Sequence, residues 1–208
     1  MNRRGLFPCL VTFVAVWLVT FAHGAEETKD EGNKIYLNSH SIHMPYIDEE
    51  MRSKYFEYGG DTLINTYKAI QLTPDLPSRA GWLWSKHALP TSSWEIEFEF
   101  KVSGAGANLF GDGFAFWATT NDPSTGPVFG SVDKFDGLGV FFDTYANSKA
   151  NHNFPYVMAM IGDGKTSYDN SKDGSDTEAA GCEADFRDKP FPTKAQVTYF
   201  RGEYLQVI

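Results

Sequence analysis

Trp94-Glu95-Ile96-Glu97-Phe98-Glu99-Phe100-Lys101-Val102 alternates without a break, apolar at even numbers and charged at odd. Successive side chains of an extended chain point to opposite faces, so this period of two describes a strand with one face in a core and one in water. Three short continuous apolar runs follow, at residues 114–119, 138–142 and 156–161. Runs of that length read as central strands covered on both faces. Residues 195–200 and 203–208 flank Arg201-Gly202, which predicts a hairpin closed by a two-residue turn. Between the runs lie segments rich in Gly, Asn, Asp, Ser and Pro, at 103–113, 121–137, 144–155 and 162–181. No apolar stripe at helical spacing exceeds two turns. The predicted architecture is all-β: a jelly-roll sandwich of two antiparallel sheets with long loops at one end. Long loops on a rigid sandwich are where binding residues usually sit.

At 208 residues the chain fits one domain, and 15% aromatic residues supply a sizeable core. The formal net charge of −9 excludes nucleic acid as a partner, since phosphate binding needs clustered Lys and Arg. Residues 1–24 read as a signal peptide: Arg3-Arg4, an apolar stretch from about Leu10 to Ala22, then small residues at Ala22-His23-Gly24. That stretch is short for a membrane span of about 20 residues, and no second hydrophobic segment follows, so no transmembrane helix is predicted. Residues 25–34 are a polar lead-in, and 35–208 form the folded domain. With Cys9 in the signal, Cys182 is a lone thiol expected to be free, intermolecularly bridged, or paired with a residue beyond this chain. The chain stops at Ile208 inside an apolar strand, from which the domain is expected to lack its last strands.

The chemistry gathers at the loop mouths. Asp112 sits in Gly111-Asp112-Gly113-Phe114-Ala115-Phe116-Trp117. Asp143, Tyr145 and Asn147 sit in Val140-Phe141-Phe142-Asp143-Thr144-Tyr145-Ala146-Asn147, and Asp173 in the following Gly-rich loop. Carboxylates and carboxamides gathered there make an oxygen-rich site suited to a hard cation such as Ca²⁺, and favour binding a hydroxyl-rich ligand over turnover. Taken singly, an Asp beside Gly is most often turn chemistry, its side chain bonded to nearby backbone. Asp169 and Asp176 are close rivals of Asp173. The stretch from Asp169 is no EF-hand, because its twelfth position is Ala180 rather than Glu. Trp94, Trp117 and Phe142 read as core. His40, His43, His87 and His152 share no metal-ligand spacing.

Four ordered blocks carry a resemblance: 111–117 and 137–145 within the segments above, Gly126-Pro127-Val128-Phe129-Gly130-Ser131, and Gly181-Cys182-Glu183-Ala184-Asp185-Phe186-Arg187. From about Ser39 to the final residue the chain resembles the L-type (leguminous-like) lectin domain of early-secretory-pathway cargo receptors, closest in wording to fungal members. The resemblance implies a concanavalin-like sandwich that binds high-mannose N-glycans on glycoprotein cargo through Ca²⁺. The setting it implies is the lumen of the endoplasmic reticulum, the ER–Golgi intermediate compartment and the Golgi. It implies that Asp143, the Tyr145 carbonyl, Asn147 and Asp173 hold the cation, and that Asp112 and Asn147 bond mannose hydroxyls. It also implies a cis peptide before Asp112, a membrane anchor in full-length relatives, and a disulfide partner for Cys182 beyond Ile208. The chain departs from the pattern in having Asn170 where relatives carry His, and Trp82 where they carry a sugar-contacting Ser. Asn170 still offers an oxygen or an amide donor. Trp82 either stacks on a pyranose face or blocks the old contact.

A reading from a different class comes from Glu95-Ile96-Glu97-Phe98-Glu99. Alternate residues on a strand share a face, which spaces these carboxylates about 6.6–6.8 Å apart. Sandwich β-glucanases use a similar row, one acid as nucleophile and another as general acid. Glu95 and Glu99 would be that pair here, but the rest of the chain does not follow that family, and a solvated strand face is favoured. A third reading keeps the lectin fold as a scaffold with an inactive sugar site. The sequence thus predicts a non-enzymatic, calcium-dependent mannose lectin.

Overall fold

The structure is a computed structural model that describes residues 15–18, 34–106, 110–147 and 152–208. Among these residues the strands in chain order are β1 Ala15–Leu18, β2 Phe56–Gly60, β3 Leu63–Asn65, β4 Ala69–Gln71, β5 Gly81–Ser85, β6 Trp94–Phe100, β7 Val102–Ser103, β8 Gly113–Thr119, β9 Asp136–Asp143, β10 Tyr156–Asp163, β11 Ala180–Glu183, β12 Thr193–Phe200 and β13 Tyr204–Val207. Helical structure among them is limited to three single 3-10 turns, at Asn38–His40, Asn170–Lys172 and Ser175–Thr177. No helix among them is long and apolar enough to cross a membrane. The described residues divide into two compact units. One holds Pro74–Arg79 and Ser103–Arg187, and the other Ala15–Thr73, Ala80–Val102 and Asp188–Ile208.

In the first unit β11-β10-β9-β8 form one antiparallel sheet. The apolar runs at 138–142 and 156–161 become its two central strands. Val140 and Phe141 are fully buried, and Phe141 joins Val128, Phe135, Tyr156, Met158, Met160 and Tyr168 in the core. Each large side chain buried this completely contributes about 1.5–3 kcal/mol of transfer free energy. The run at 114–119 departs from expectation, because β8 ends the sheet order instead of lying within it. The covered faces read from the sequence are found in part: Phe114 is buried and the rest of the strand is half-buried. Trp117 meets Phe135 and Phe141 edge-on at 4.9 and 5.3 Å, while Phe114 stacks on Phe142 at 4.5 Å.

In the second unit β13-β12-β6 form an antiparallel sheet. The strict alternation of the opening stretch is realised: Phe98 and Phe100 are buried with Ala195 and Val197, while Glu95 and Glu97 face outward. The hairpin differs from the expected two-residue turn. Phe200 pairs with Tyr204, the two rings stack at 6.0 Å, and the connection is Arg201-Gly202-Glu203 with Gly202 at φ +78°. The aromatic pair closes the ladder at a position that leaves three residues outside, one of them the glycine suited to a left-handed backbone. The remaining ladders are β3-β4-β1-β7 and β2-β5. The signal-peptide reading falls outside the described residues except at Ala15–Leu18, where Trp17 and Leu18 pair antiparallel with Gln71 and Ile70.

Candidate functional site

β8 and β9 end side by side, with Gly113 opposite Asp143 in the register, so the two loops carrying Asp112 and Asp143 leave the sheet together. That approach is possible because residue 113 is glycine. It sits at φ +136°, and a Cβ there would lie 2.1 Å from the Phe142 carbonyl oxygen. The Gly111–Asp112 peptide is cis, and the Asp112 carbonyl accepts a hydrogen bond from the Thr144 N–H at 2.9 Å. A Cβ on Gly111 would meet the Tyr145 Cβ at 2.5 Å, so the Asp112 loop lies directly against Tyr145.

Asp143 is only 4% exposed, and its Oδ1 accepts the Tyr145 N–H at 2.8 Å. Asp173 is also buried, at 6%, and lies in the left-handed region at φ 54° as the cap of the 3-10 turn Asn170–Lys172. Its Oδ1 accepts both the Asn147 N–H at 2.8 Å and the Asn147 Nδ2 at 3.0 Å, tying the loop after β9 to the loop after β10. The structure therefore draws Asp112, Asp143, Tyr145, Asn147 and Asp173 into one place. The rivalry among the acids of the last loop is also resolved. Asp169 accepts the Ser171 N–H and hydroxyl at 2.9 and 2.6 Å, which hold its carboxyl below the usual carboxylate range, with Lys172 adding to the effect. Asp176 is exposed and pairs with Lys172. Both perform turn and surface chemistry, and Asp173 alone turns inward.

The electrostatics of the cluster are costly. Burial pushes the Asp143 carboxyl up to about 8, with the Asp173 and Asp112 charges adding to the rise and the Tyr145 and Thr144 N–H groups opposing it. Asp112 is itself exposed, yet the protein atoms crowded around it raise its carboxyl too, with Asp173 as the next cause. Tyr168, 6% exposed, has its phenol driven upward by burial first and then by Asp143, Asp173 and Asp112. Acids buried this closely need a cation or a proton. Two carboxylates, a carboxamide and a backbone carbonyl form an all-oxygen donor set suited to Ca²⁺. Among the described residues no three His, Cys, Asp or Glu side chains cage a metal ion by themselves, so the donor set depends on the Asn147 carboxamide and the Tyr145 carbonyl beside the carboxylates. The donor set fits calcium.

Several participants were not singled out in the sequence. Tyr168 packs on Phe141 at 4.8 Å beneath the cluster, and its N–H is held by Asp133 Oδ1 at 2.9 Å. Gly174, also at positive φ, lets Tyr168 approach, since a Cβ there would lie 2.3 Å from its ring. A Gly directly after an Asp was the available signal. Asn170 is exposed on the same turn as Asp173, with Nδ2 reaching the Pro127 carbonyl at 3.5 Å. Trp82 belongs to the other unit. It stands half-buried on β5 opposite Gly59, whose missing Cβ would lie 2.5 Å from the indole, so its ring rests on the partner strand. Cys182 is an exposed free thiol on β11. The glutamate row is a paired surface: Lys34 meets Glu95 at 3.1 Å and Lys194 meets Glu97 at 2.8 Å. His152 contacts Glu178 at 3.1 Å and stacks on Tyr156, a structural role.

The legume-like lectin family model matches residues 33–208. The chain belongs to this family. Among its legume-like relatives, human vesicular integral-membrane protein VIP36 is 42% identical over 176 residues, covering 83% of this chain and 49% of VIP36. An L-type lectin-like domain-containing protein of Schizosaccharomyces pombe is 42% identical over 149 residues, covering 72% of this chain and 48% of that protein. The chain thus spans about half the length of the curated relatives it matches. Among solved structures, the VIP36 exoplasmic/lumenal domain in its Ca²⁺- and Man3GlcNAc-bound form superposes with a TM-score of 0.75 at 41% identity, covering 82% of this chain and 69% of that one. The carbohydrate recognition domain of Emp47p, at 22% identity and TM-score 0.64, shares the fold. The all-β, legume-lectin-type sandwich read from the sequence is therefore the fold class of this chain.

Proposed function

We propose that the chain is a calcium-dependent lectin domain that binds the mannose residues of high-mannose N-glycans on glycoprotein cargo. It would act in the lumen of the early secretory pathway, across the endoplasmic reticulum, the intermediate compartment and the Golgi. The observation that carries this reading is the convergence of Asp112, Asp143, Asn147 and Asp173, drawn from three separate loops, onto one mouth of a rigid sheet. The VIP36 domain, a relative at 41% identity, is known in Ca²⁺/mannose-bound form, and the same chemistry is transferred here.

Asp143, the Tyr145 carbonyl, Asn147 and Asp173 would hold the cation. Bound Ca²⁺ supplies charge neutralisation for the buried carboxylates and a shared anchor for their loops. The chain's own residues do the recognising. Asp112, fixed from one side by its carbonyl bond to Thr144, presents carboxylate oxygens that accept from sugar hydroxyls. Asn147 is oriented by its two bonds to Asp173. Prior ordering of these groups lowers the entropy lost when a weak polar ligand binds. Asn170, exposed on the same turn as Asp173, is a further candidate sugar contact. We read the domain as a binder rather than a hydrolase, and the Lys34 pairing of Glu95, one member of the Glu95/Glu99 pair, supports that reading.

The test is a glycan array with calcium, with chelator, and with Asp112→Asn. Mannose-terminated glycans should give signal with calcium alone, and Asp112→Asn should abolish it with the fold intact. Reducing-sugar release from glucans, lost in Glu95→Gln or Glu99→Gln, would overturn the proposal.

A further inference from the structure

The segment Gly181-Cys182-Glu183-Ala184-Asp185-Phe186-Arg187 contributes none of the oxygens gathered at the site, yet its last two residues reach the site's supports. Phe186 is 2% exposed and meets Phe142 edge-on at 5.9 Å, and Phe142 in turn stacks on Phe114. Phe142 immediately precedes Asp143, and Phe114 immediately follows Gly113, so this aromatic trio braces the start of both site loops. Arg187, anchored by its neighbour Phe186, extends to the loop that leads into Asp112. Its Nη2 donates to the Gly106 carbonyl at 2.9 Å and the Gly104 carbonyl at 3.4 Å. Its guanidinium lies 3.7 Å from the centroid of the Phe110 ring. Phe110 is separated from Asp112 by a single glycine.

We propose that Arg187 is a positioning residue for sugar binding: it holds the Gly104 and Gly106 carbonyls and the Phe110 ring together and so sets the place of the Asp112 carboxylate. The inference rests on the lectin reading above and deepens it. Asp112 is held on its C-terminal side by the β8–β9 ladder and the Thr144 bond. Further back on its N-terminal side lies Gly104-Ala105-Gly106, which has little conformational preference of its own and loses much entropy on ordering. Order must be imposed from outside. Asp75 supplies part of it by accepting the Ala105 N–H at 2.7 Å. Arg187 adds to it, because a planar guanidinium can donate to carbonyls in its plane and stack on a ring with its face. A lysine ammonium is a point charge with neither the coplanar fork of donors nor the flat face. The groups Arg187 holds, the Gly104 and Gly106 carbonyls and the Phe110 ring, belong to the chain leading into Asp112, so the clamp is assigned to the sugar contact rather than to the cation.

That separation defines the experiment. Calcium and methyl α-mannoside affinities are measured by titration calorimetry for the wild-type domain and for Arg187→Ala, Arg187→Lys and Phe110→Leu, with thermal midpoints recorded. Arg187→Ala should lose about tenfold or more in mannoside affinity, the equivalent of one charge-assisted hydrogen bond, with calcium affinity within about threefold of wild type. Arg187→Lys should resemble Arg187→Ala more than wild type, and Phe110→Leu should show a smaller loss of the same kind. Mannoside binding unchanged in Arg187→Ala overturns the inference. So does an equal loss of calcium and mannoside binding, which would make Arg187 a general fold residue. Should Arg187→Ala fail to fold, the same split in Arg187→Lys and Phe110→Leu decides. A wild-type domain that binds no mannoside sinks the lectin reading itself, a result distinct from wild-type binding that the variants leave untouched.

Discussion

Asp143→Asn should make the calcium-free domain more stable while removing its response to calcium. In the structure the Asp143 carboxyl is 4% exposed, and burial with two neighbouring acids lifts it from 3.8 to about 8. A group whose folded pKa is raised favours folding least when ionised, so this penalty is absent below about pH 4 and grows as pH rises through the window from 3.8 to about 8. Converted at about 1.4 kcal/mol per pKa unit, the shift from 3.8 to about 8 sets a ceiling of about 6 kcal/mol at mildly alkaline pH. Relaxation of the loops will take up much of that, and about 2 kcal/mol is a realistic gain for the neutral isostere. Asn keeps an oxygen for the Tyr145 N–H, so the backbone bond survives. For a chain of this size 2 kcal/mol corresponds to a rise of about 4–8 °C in the melting midpoint. The wild-type domain should recover the difference on adding calcium, since a ligand at a hundred times its Kd stabilises by about 2.7 kcal/mol. Differential scanning calorimetry at pH 5 and pH 8, with chelator and with calcium, checks all three parts. A calcium-free Asp143→Asn that melts below wild type at pH 8 would refute the claim that this carboxylate is held against its own electrostatics.

Two further outcomes follow from neighbouring features. Gly113→Ala would bring a methyl to 2.1 Å from the Phe142 carbonyl at a φ of +136°, so the two site loops must part. The expected result is a loss of about 1–3 kcal/mol in denaturant unfolding together with weakened mannoside binding, and a variant of wild-type stability would contradict the close approach. Burial and the Glu178 carboxylate that accepts its hydroxyl at 2.8 Å push the Tyr156 phenol up to about 12. Its contribution should be complete below pH 10 and fade as pH rises through 10 to 12. Tyr156→Phe should flatten that part of the stability profile, followed by circular dichroism; an unchanged alkaline slope would sink the assignment.

Much of the fold was legible in the sequence because strands announce themselves by period. The alternation from Trp94 to Val102 gave β6, and the apolar runs gave β9 and β10, whose two faces are both covered. The same logic misjudged β8, because an apolar run records coverage of side chains and says nothing of how many strands flank the backbone. It also missed β2 to β5, where strands of three to five residues with mixed exposure carry no clean period. At the site, Asp112, Asp143 and Asn147 stood out as oxygens at loop mouths. The sequence could not separate Asp173 from Asp169 and Asp176, because orientation decides between them and one turn of chain points the three in different directions. Tyr168 and Arg187 were hidden because they act through packing and through backbone carbonyls distant in the chain.

A crystal of the domain grown with calcium is the most direct test. A single cation should be bonded to Asp143, the Tyr145 carbonyl, Asn147 and Asp173 at about 2.3–2.6 Å, with Asp112 beside it and outside its coordination shell. A calcium-saturated crystal with the ion bound elsewhere, or with those four groups turned away from one another, would contradict this assignment.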